Sequence, residues 1–315
     1  MRLKDYLGMG AFKILSSPAD VEAILRNVSY VEKPDKKGYS KLTIADGNKE
    51  LSLMEFSLSK READELCVGK VYTFRVSANT YKDSMSYVAQ RLECRSDLNP
   101  MDYLPIIENY SEHKEEFETL LSNFENDVLI NLRDWILDKY SEEFYKAPAG
   151  KSMHHNLVGG LMQHSLSVAK IAMSYPSLYG GVANREILLF GALFHDIGKV
   201  IEYEFSDTGG IRFSEESALD SHITAGVDIL RESACSCGCM GTDEYRHLKH
   251  IILSHHGKKE FGSPVLPATI EALLVSQADM TDALMYCFSD KLSELGTSEK
   301  WTGNLMGQYR SVYRF

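Results

Sequence analysis

The segment Gly191–Lys199 constrains the fold of this chain more than any other part of the sequence. An apolar run from residue 187 to residue 194 leads directly into an adjacent pair, His195 and Asp196. Unpaired polar groups are costly to bury, so a pair at the end of a buried helix needs a partner. An imidazole nitrogen and a carboxylate oxygen on consecutive residues can bind one cation. For this pair alone, the alternative is a core histidine hydrogen-bonded to its neighbour.

The histidines are concentrated in the second half of the chain. Nine of the ten lie between His154 and His256, where the apolar pattern predicts one helix after another. The polar residues that interrupt these apolar helices are His164, His195, Asp196, His222, His255, His256 and Asp279. Helical bundles build metal sites from side chains that project inward from facing helices. Any one of these histidines could be a satisfied core residue, but the whole set predicts a buried metal site.

Length and composition describe an ordinary globular protein. The 315 residues leave room for about two domains, and 44% hydrophobic with 25% charged residues is typical of soluble proteins. We find no apolar run of membrane-spanning length and no signal-peptide pattern near the N-terminus. Six irregularly spaced cysteines indicate reduced thiols. We therefore expect a cytoplasmic protein that does not bind membranes.

The first hundred residues have the pattern of a small β-barrel. Residues 21–94 contain five strand-like segments separated by turns, with a short helical segment, Ser59–Leu66, between the third and the fourth. This order matches the five-stranded OB barrel, and another small β-barrel is the alternative. From Ser111 to Tyr145, apolar residues recur at three- and four-residue spacing and predict one long helix. The predicted fold is therefore two-domain, an N-terminal all-β OB-fold barrel followed by an all-α helical bundle.

The charge is divided unevenly between these two parts. Residues 1–98 hold 16 Lys and Arg against 14 Asp and Glu, so a net charge of −11 leaves −13 for the remainder. An acidic half suits a carboxylate-rich metal site but repels a polyanion, so we expect the barrel to contact nucleic acid. OB folds bind single strands by stacking bases on aromatic residues along a basic groove. The candidate contacts are Tyr39, Lys41, Phe56, Arg75, Tyr81, Lys82 and Tyr87, although some of the aromatic residues must belong to the barrel core.

The order of the polar residues along the helical half resembles the HD-domain superfamily of metal-dependent phosphohydrolases. The residues that carry the likeness are His164, His195, Asp196 and Asp279, with His222, His255 and His256 as in the subset that binds two metals. Four segments are more specifically similar to the YhaM-type 3′–5′ exoribonucleases, which join an OB fold to an HD domain. These segments are His154–Leu166, Leu189–Lys199, Ser254–Gly257 and Gly262–Pro267. The likeness is strong from Met153 to Asp279 and only architectural over the barrel.

Together with the strand and helix patterns, this resemblance implies a domain plan and a ligand set. The plan is an OB-fold nucleic-acid-binding domain at 1–98, a linker and long helix at 99–150, an HD domain at 151–290 and a C-terminal tail at 291–315. The resemblance implies that His164, His195, Asp196 and Asp279 bind one ion. It implies that His222 and His255 bind a second ion with Asp196 bridging, and His256 is either a further ligand or a phosphate contact.

Lys199 is the second candidate catalytic residue besides Asp196. It follows His195 by one helical turn, so it can reach a phosphate oxygen and offset charge that develops there. The alternative is an exposed lysine near a helix end.

The ligand types limit the cofactor to a class of ions. Imidazoles and carboxylates without a thiolate suit Mn, Fe, Ni, Co or Zn and do not choose among them. Two such ions about 4 Å apart can activate a water and stabilise the attacking and leaving oxygens of a phosphodiester. The resemblance then implies a metal-dependent 3′–5′ exoribonuclease acting on single-stranded RNA, with single-stranded DNA as an open second substrate and a homo-oligomeric assembly. The alternative functions are a nucleotide or cyclic-nucleotide phosphohydrolase with a regulatory barrel, and a non-catalytic nucleic-acid-binding protein.

Two stretches depart from the family pattern. The segment Ser233–Met240 carries Cys235, Cys237 and Cys239, which lack a fourth ligand and the two-residue gap of zinc sites, so we interpret them as loop thiols. After His256 the sequence lacks the Gly-Tyr-Pro of HD proteins that cleave cyclic di-GMP. This difference argues against a cyclic dinucleotide as the main substrate.

Overall fold

The computed structural model describes most of the chain, and the chain divides into two compact units. The described residues are 1–33, 36–81, 84–150, 157–179, 181–205, 211–215, 217, 219–293, 295–296, 299–303 and 311–315. One unit comprises Met1–Ile106 with Phe205–Arg212, and the other comprises Ile107–Glu204 with Phe213–Phe315. The division at Ile106 lies close to the boundary predicted at residue 98.

The first unit is a closed five-stranded barrel. Its elements are α1 (Leu3–Leu7), α2 (Ala11–Ser16), β1 (Ala19–Lys33), β2 (Lys36–Asp46), β3 (Lys49–Glu55), α3 (Lys60–Asp64), β4 (Val71–Tyr81), β5 (Ser84–Cys94) and a 3₁₀ turn (Pro100–Tyr103). The strands close in the order β1-β2-β3-β5-β4. Neighbours are antiparallel except β3 and β5, which are parallel. The predicted OB-like barrel, with a helix between the third and fourth strands, is confirmed.

Alternation of side chains along the strands builds the barrel core. Leu42 and Ile44 of β2 are buried. Lys41, which also lies in β2, points to the outer face of the barrel. Leu3 and Tyr6 of α1 are fully buried and pack against the same core. Alternation therefore directs apolar side chains such as Leu42 and Ile44 into the barrel and the side chain of Lys41 to its outer wall.

The second unit is helical. Its helices are α4 (Tyr110–Leu121), α5 (Asp127–Lys146), α6 (Gly160–Leu178), α7 (Arg185–Phe194), α8 (Lys199–Glu202), α9 (His222–Ser236), α10 (Asp243–Ser254) and α11 (Ile270–Ser293), with a 3₁₀ turn (Lys259–Phe261). Two short strands, β6 (Tyr203–Phe205) and β7 (Ile211–Phe213), lie where the chain passes from one unit to the other. Strands β6 and β7 pair as a two-stranded sheet, which the apolar pattern did not predict. Among the described residues, no helix combines the length and the apolarity needed to cross a membrane.

The long helix predicted over 111–145 is two helices, α4 and α5. The break is held by polar contacts, since the Asn126 side chain accepts hydrogen bonds from the N–H groups of Val128 and Leu129. Glu186 accepts from the N–H groups of Glu125 and Asn126. The apolar spacing continues across this break, so periodicity alone could not reveal it.

Helix α7 is the centre of the helical core. Every residue from Ile187 to Phe194 is buried. The Phe194 ring lies 4.8 Å from that of Phe190 and 6.0 Å from that of Phe144, measured between centroids. Aromatic pairs at such distances add to the burial energy. The end of α7, where His195 follows, is thus fixed in the interior.

Candidate metal centre

Five segments of the helical unit bring their polar residues to one place. His164 lies in α6, His195 and Asp196 follow α7, His222 begins α9, His255 and His256 follow α10, and Asp279 lies in α11. Among the described residues, two groups of potential ligand atoms could each hold a metal ion. They are His164, His195 and Asp196 in one group, and His222, His255 and His256 in the other. The three cysteines are not part of either group, and the interpretation of all three as loop thiols is wrong for Cys235, which lies in the last turn of α9, while Cys237 and Cys239 follow that helix.

The first cluster consists of His164, His195, Asp196 and Asp279. The Nε2 atoms of the two histidines lie 3.3 Å apart. Asp196 Oδ2 is 3.4 Å from each of them. Asp279 Oδ1 is 3.2 Å from His164 Nε2 and 3.9 Å from His195 Nε2. Two imidazole nitrogens and two carboxylate oxygens therefore converge on one small volume.

The second cluster consists of His222, His255 and His256. The Nε2 atoms of His222 and His256 lie 3.3 Å apart. Asp196 Oδ1 is 3.5 Å from His222 Nε2 and 3.3 Å from His255 Nε2. The Asp196 carboxylate thus directs one oxygen at each cluster, which is the geometry that a bridging ligand needs.

Hydrogen bonds on the far side of each ring aim the histidines inward. Nδ1 of His195 lies 2.9 Å from the carbonyl oxygen of Ala192, and Nδ1 of His255 lies 2.7 Å from that of Ile252. Donation of the Nδ1 proton to these carbonyls leaves the lone pair of Nε2 free to bind a cation.

The remaining three histidines are oriented in the same way. Their Nδ1 partners are Asp282 for His164 at 2.7 Å, Glu202 for His222 at 3.1 Å and the carbonyl of Phe261 for His256 at 2.8 Å. Sequence reasoning missed Asp282 and Glu202 because they act through a histidine. The signal that could have found Asp282 is its position three residues after Asp279, on the same face of α11.

Gly198 allows the two clusters to approach each other. A Cβ atom added there would lie 1.9 Å from the carbonyl oxygen of His222 and 2.5 Å from the backbone nitrogen of Gly226. Any side chain at residue 198 would therefore push α9, and His222 with it, away from Asp196. The glycine of the His-Asp-Ile-Gly-Lys segment is required by this backbone contact.

The charges of the first cluster favour a cation. Burial alone would lower the pKa of His164, but Asp196, Asp279 and Asp282 outweigh it and raise that pKa well above its usual value. Burial disfavours ionised carboxylates, yet Lys199 and the histidines hold the pKa of Asp196 well below its usual value. The pKa of Asp279 is lowered in the same way, chiefly by His164. Both ligand carboxylates are ionised, and a bound cation would displace the proton of His164.

The pKa values of two histidines in the second cluster shift in the opposite direction to that of His164. Burial lowers the pKa of both His255 and His256, because a charged imidazolium loses its hydration there. Neutral imidazoles are the form that binds metals.

Two buried polar atoms support the fit of a cation. Asp196 Oδ1 and His255 Nε2 are both buried, and within the described part of the chain neither makes a hydrogen bond of proper geometry. A buried acceptor without a partner costs about 1–3 kcal/mol. These two atoms face each other at 3.3 Å, so one ion would satisfy both. The residues present therefore fit divalent metal ions.

Lys199 is not an exposed lysine at a helix end. It is buried, and its ammonium nitrogen lies 2.6 Å from Asp196 Oδ2. Its contact is thus with the carboxylate that both clusters share, and any contact with a phosphate is an additional role.

The barrel carries a groove on its outer face that includes some of the predicted nucleic-acid contacts. Its cavity volume is about 360 Å³, and its lining includes Asn27, Ser29, Lys41, Thr43, Ser52, Met54 and Tyr87. Tyr39 lies two residues before Lys41 in β2, so both point to the same face. The rings of Tyr39 and Phe56 are 5.5 Å apart, and the Lys33 ammonium lies 4.8 Å from the Tyr39 ring centroid. Of the predicted contacts, Lys41 and Tyr87 therefore line this groove, whereas Tyr39 and Phe56, whose rings lie close to each other, do not.

The other predicted contacts are not part of this groove. Arg75 lies beside a separate, smaller cavity, with its NH1 atom 3.0 Å from Asp20 Oδ2. The side chain of Tyr81 and the whole of Lys82 lie outside the described residues.

The helical part of the chain is similar in sequence to known proteins. The family model of the HD domain matches residues 161–284. The 3′-5′ exoribonuclease YhaM of Listeria monocytogenes is 37% identical over 183 residues, which cover 58% of this chain and 56% of that protein. The 3′-5′ exoribonuclease YhaM of Geobacillus sp. is 32% identical over 190 residues, covering 60% and 57%.

A longer match extends the relation over the barrel. The 3′-5′ exoribonuclease YhaM of Oceanobacillus iheyensis is 26% identical over 298 residues, which cover 92% of this chain and 91% of that protein. The matches of higher identity thus span little more than half of the relatives, and the match of lower identity spans nearly all of one. The HD-domain family model thus matches the residues that carry the candidate metal centre, and this chain is similar to the 3′-5′ exoribonucleases YhaM over more than half of its length.

Proposed function

We propose that this protein is a metal-dependent 3′–5′ exoribonuclease that hydrolyses the phosphodiester bonds of single-stranded RNA. The observation that carries the proposal is the Asp196 carboxylate, whose two oxygens face two separate groups of imidazole nitrogens. Paired metal sites of this kind are typical of enzymes that cleave phosphate esters. The names of the relatives supply the RNA substrate and the direction of digestion. A cytoplasmic location and a homo-oligomeric assembly belong to the same proposal.

The proposed chemistry divides between the ions and the side chains. Divalent ions bound at the two clusters would activate water and stabilise the charge on the scissile phosphate. Asp196 fixes the spacing of the two sites, because it is a ligand of both. Lys199 holds this carboxylate in place and adds positive charge to the wall of the centre. Asp282 and Glu202 keep His164 and His222 in their binding orientation.

In this proposal the barrel binds the single-stranded RNA. Tyr39 and Phe56 offer aromatic faces for bases, and Lys41 offers a positive charge for the phosphates. The rest of the groove is lined largely by hydroxyl and amide groups, which can bond to sugar and base edges without selecting one sequence.

Digestion of a short single-stranded RNA labelled at its 5′ end tests the proposed function. We expect progressively shorter labelled products, unlabelled mononucleotides, loss of activity on chelation, and recovery on addition of Mn²⁺. Immediate release of a labelled mononucleotide would contradict the direction. Hydrolysis of free nucleotides with RNA left intact would favour the alternative nucleotide phosphohydrolase.

A matched pair of variants tests the role of the barrel. Lys41→Ala should raise the KM for RNA several-fold and weaken its dependence on salt, because one phosphate contact is lost. Arg75→Ala removes a similar charge from a different part of the barrel and should change the KM little. Equal effects of the two variants would contradict the assignment of the groove.

A further inference from the structure

The loop that follows the last ligand of the second cluster is tied to the metal centre by its backbone. It runs from Gly257 to Gly262, and both of these glycines adopt the left-handed region, with φ values of 74° and 100°. Between them the chain makes a 3₁₀ turn that ends at Phe261. The carbonyl oxygen of Phe261 accepts the hydrogen bond from Nδ1 of His256 at 2.8 Å. Phe261 therefore has a fixed position next to a metal ligand.

The side chain of Phe261 is unusual for its position. It is 49% exposed, although the neighbouring centre is buried. The Lys258 ammonium lies 5.1 Å from the centroid of its ring, so an aromatic face and a positive charge lie side by side. Residues 99–315 carry −13, so a lysine at the edge of the centre is a local exception to an acidic surface. An exposed ring paired with a cation is the arrangement on which single-stranded nucleic acids stack.

We infer that Phe261 is the stacking platform for the base at the 3′ end of the bound strand, and that Lys258 contacts the adjoining phosphate. This inference rests on the proposed function and adds a substrate-binding residue to it. Stacking on a ring accepts any base, because every base has a flat face. The loop would thus bind the terminal nucleotide of the RNA regardless of its base.

Side-chain substitutions can isolate this role, because the bond to His256 comes from the Phe261 backbone. Phe261→Ala removes the ring and keeps the carbonyl, whereas Phe261→Trp keeps an aromatic face. Leu266→Ala is the matched control, since Leu266 is an exposed apolar residue, 55% accessible, a few positions further along the same segment. All variants are used as the full chain loaded with Mn²⁺, and their metal content is measured first.

Two measurements test the inference. The first is the KM for a short single-stranded RNA, compared with the same RNA lacking its 3′-terminal base. Phe261→Ala should raise the KM for the intact RNA about tenfold to a hundredfold, with kcat little changed. It should leave the KM for the abasic RNA unchanged. The second is the Kd for AMP and for ribose 5-phosphate, in which Phe261→Ala should weaken AMP binding alone.

The outcomes separate this inference from the proposed function. If the wild-type protein fails to degrade RNA, the proposed function is wrong, and AMP binding still decides the role of Phe261. The inference is overturned if Phe261→Ala binds AMP as the wild type does, or if Leu266→Ala has the same effect. It is also overturned if Phe261→Ala weakens the binding of ribose 5-phosphate and of AMP equally. A partner protein that covers the Phe261 ring in place of a nucleotide would overturn it as well.

Discussion

The two clusters of the candidate metal centre share one carboxylate but differ in charge and depth. The first cluster has the carboxylates of Asp196 and Asp279, whose side chains are 2% and 15% exposed, with two fully buried histidines. The second has three imidazoles and faces the remaining oxygen of Asp196. Its His222 is 12% exposed and His256 is also partly accessible. One site is deep and anionic, and the other is shallower and nearly neutral.

This difference predicts unequal metal affinities. An anionic ligand set attracts a divalent ion more strongly than neutral imidazoles, especially where water is excluded. We therefore expect the first cluster to hold its ion firmly and the second to exchange its ion more readily. The first cluster has Asp279 besides Asp196, whereas the second cluster faces Asp196 alone among the carboxylates described above, so we expect loss of Asp196 to weaken the second site more than the first.

Loss of the shared carboxylate should have the largest effect. Asp196→Ala removes a ligand from both clusters, so at least one ion should be lost and RNA hydrolysis should fall to background. Metal analysis and an RNA digestion assay on the folded protein measure this, with circular dichroism to confirm the helices. Asp134→Ala, which removes an exposed carboxylate from the same unit, is the control. Near-normal turnover in Asp196→Ala would mean that the two clusters do not share a bridging ligand.

Separating the clusters without changing a ligand should have the next largest effect. Gly198→Ala inserts a methyl group 1.9 Å from the His222 carbonyl, which should destabilise the fold by about 1–3 kcal/mol. It should also weaken the second ion more than the first, because His222 moves while the first cluster stays in place. Denaturant unfolding and metal titration measure both effects.

Gly241→Ala is the control for Gly198→Ala, since a Cβ atom there meets nothing within 4 Å. Equal losses of the two ions in Gly198→Ala would contradict the view that this glycine sets the spacing of the second cluster.

Removal of a single ligand should distinguish the sites directly. The wild type should hold about two ions per chain, and His222→Ala about one, with the remaining ion bound as firmly as before. His247→Ala is the control and should keep both ions, because His247 lies away from the centre and its side chain contacts Glu271. A fully active wild type with a single ion would show that the second cluster binds substrate and not metal.

The smallest effects should come from the residues behind the ligands. Asp282→Asn weakens the hold on His164 and should lower the affinity of the first site about 10- to 100-fold. Glu202→Gln does the same to His222 and should lower the affinity of the second site by a similar factor. The two substitutions are alike in size and chemistry, so each is the control of the other. If both lowered both affinities equally, the division of the centre into two sites would be wrong.

Patterning predicted the architecture because each element carries its own local signal. The five strands of the barrel are bounded by turns, and the short helix α3 begins at Ser59 with a capping box. The positions of His164, His195, His222 and His255 along the chain predicted that they lie in, or at the ends of, separate helices. The break between α4 and α5 escaped the pattern, because the apolar spacing continues through residues that only distant contacts hold in a turn.

The parts of the site that could not be predicted depend on tertiary contacts. Lys199 could be interpreted as an exposed lysine, and only the fold shows it buried against Asp196. Glu202 and Asp282 carry no signature of their own, since their role exists only once a histidine from another helix lies beside them. Arg75 has the positive charge that a nucleic-acid contact needs. Its place on the barrel, however, is set by strand order and not by its neighbours in sequence.

The ends of two helices give the centre a binding order. Helices α7 and α10 end directly before His195 and His255, and the carbonyl oxygens of Ala192 and Ile252 in their last turns lie 2.9 and 2.7 Å from the Nδ1 atoms of these two rings. The negative end of a helix dipole attracts a cation by about 0.3–1 kcal/mol and repels an anion to a similar extent. Lys199 and His164 offset part of this negative charge, and bound cations would offset much more of it. We therefore expect cations to bind before the strand, and excess RNA added to metal-free protein should not delay their entry.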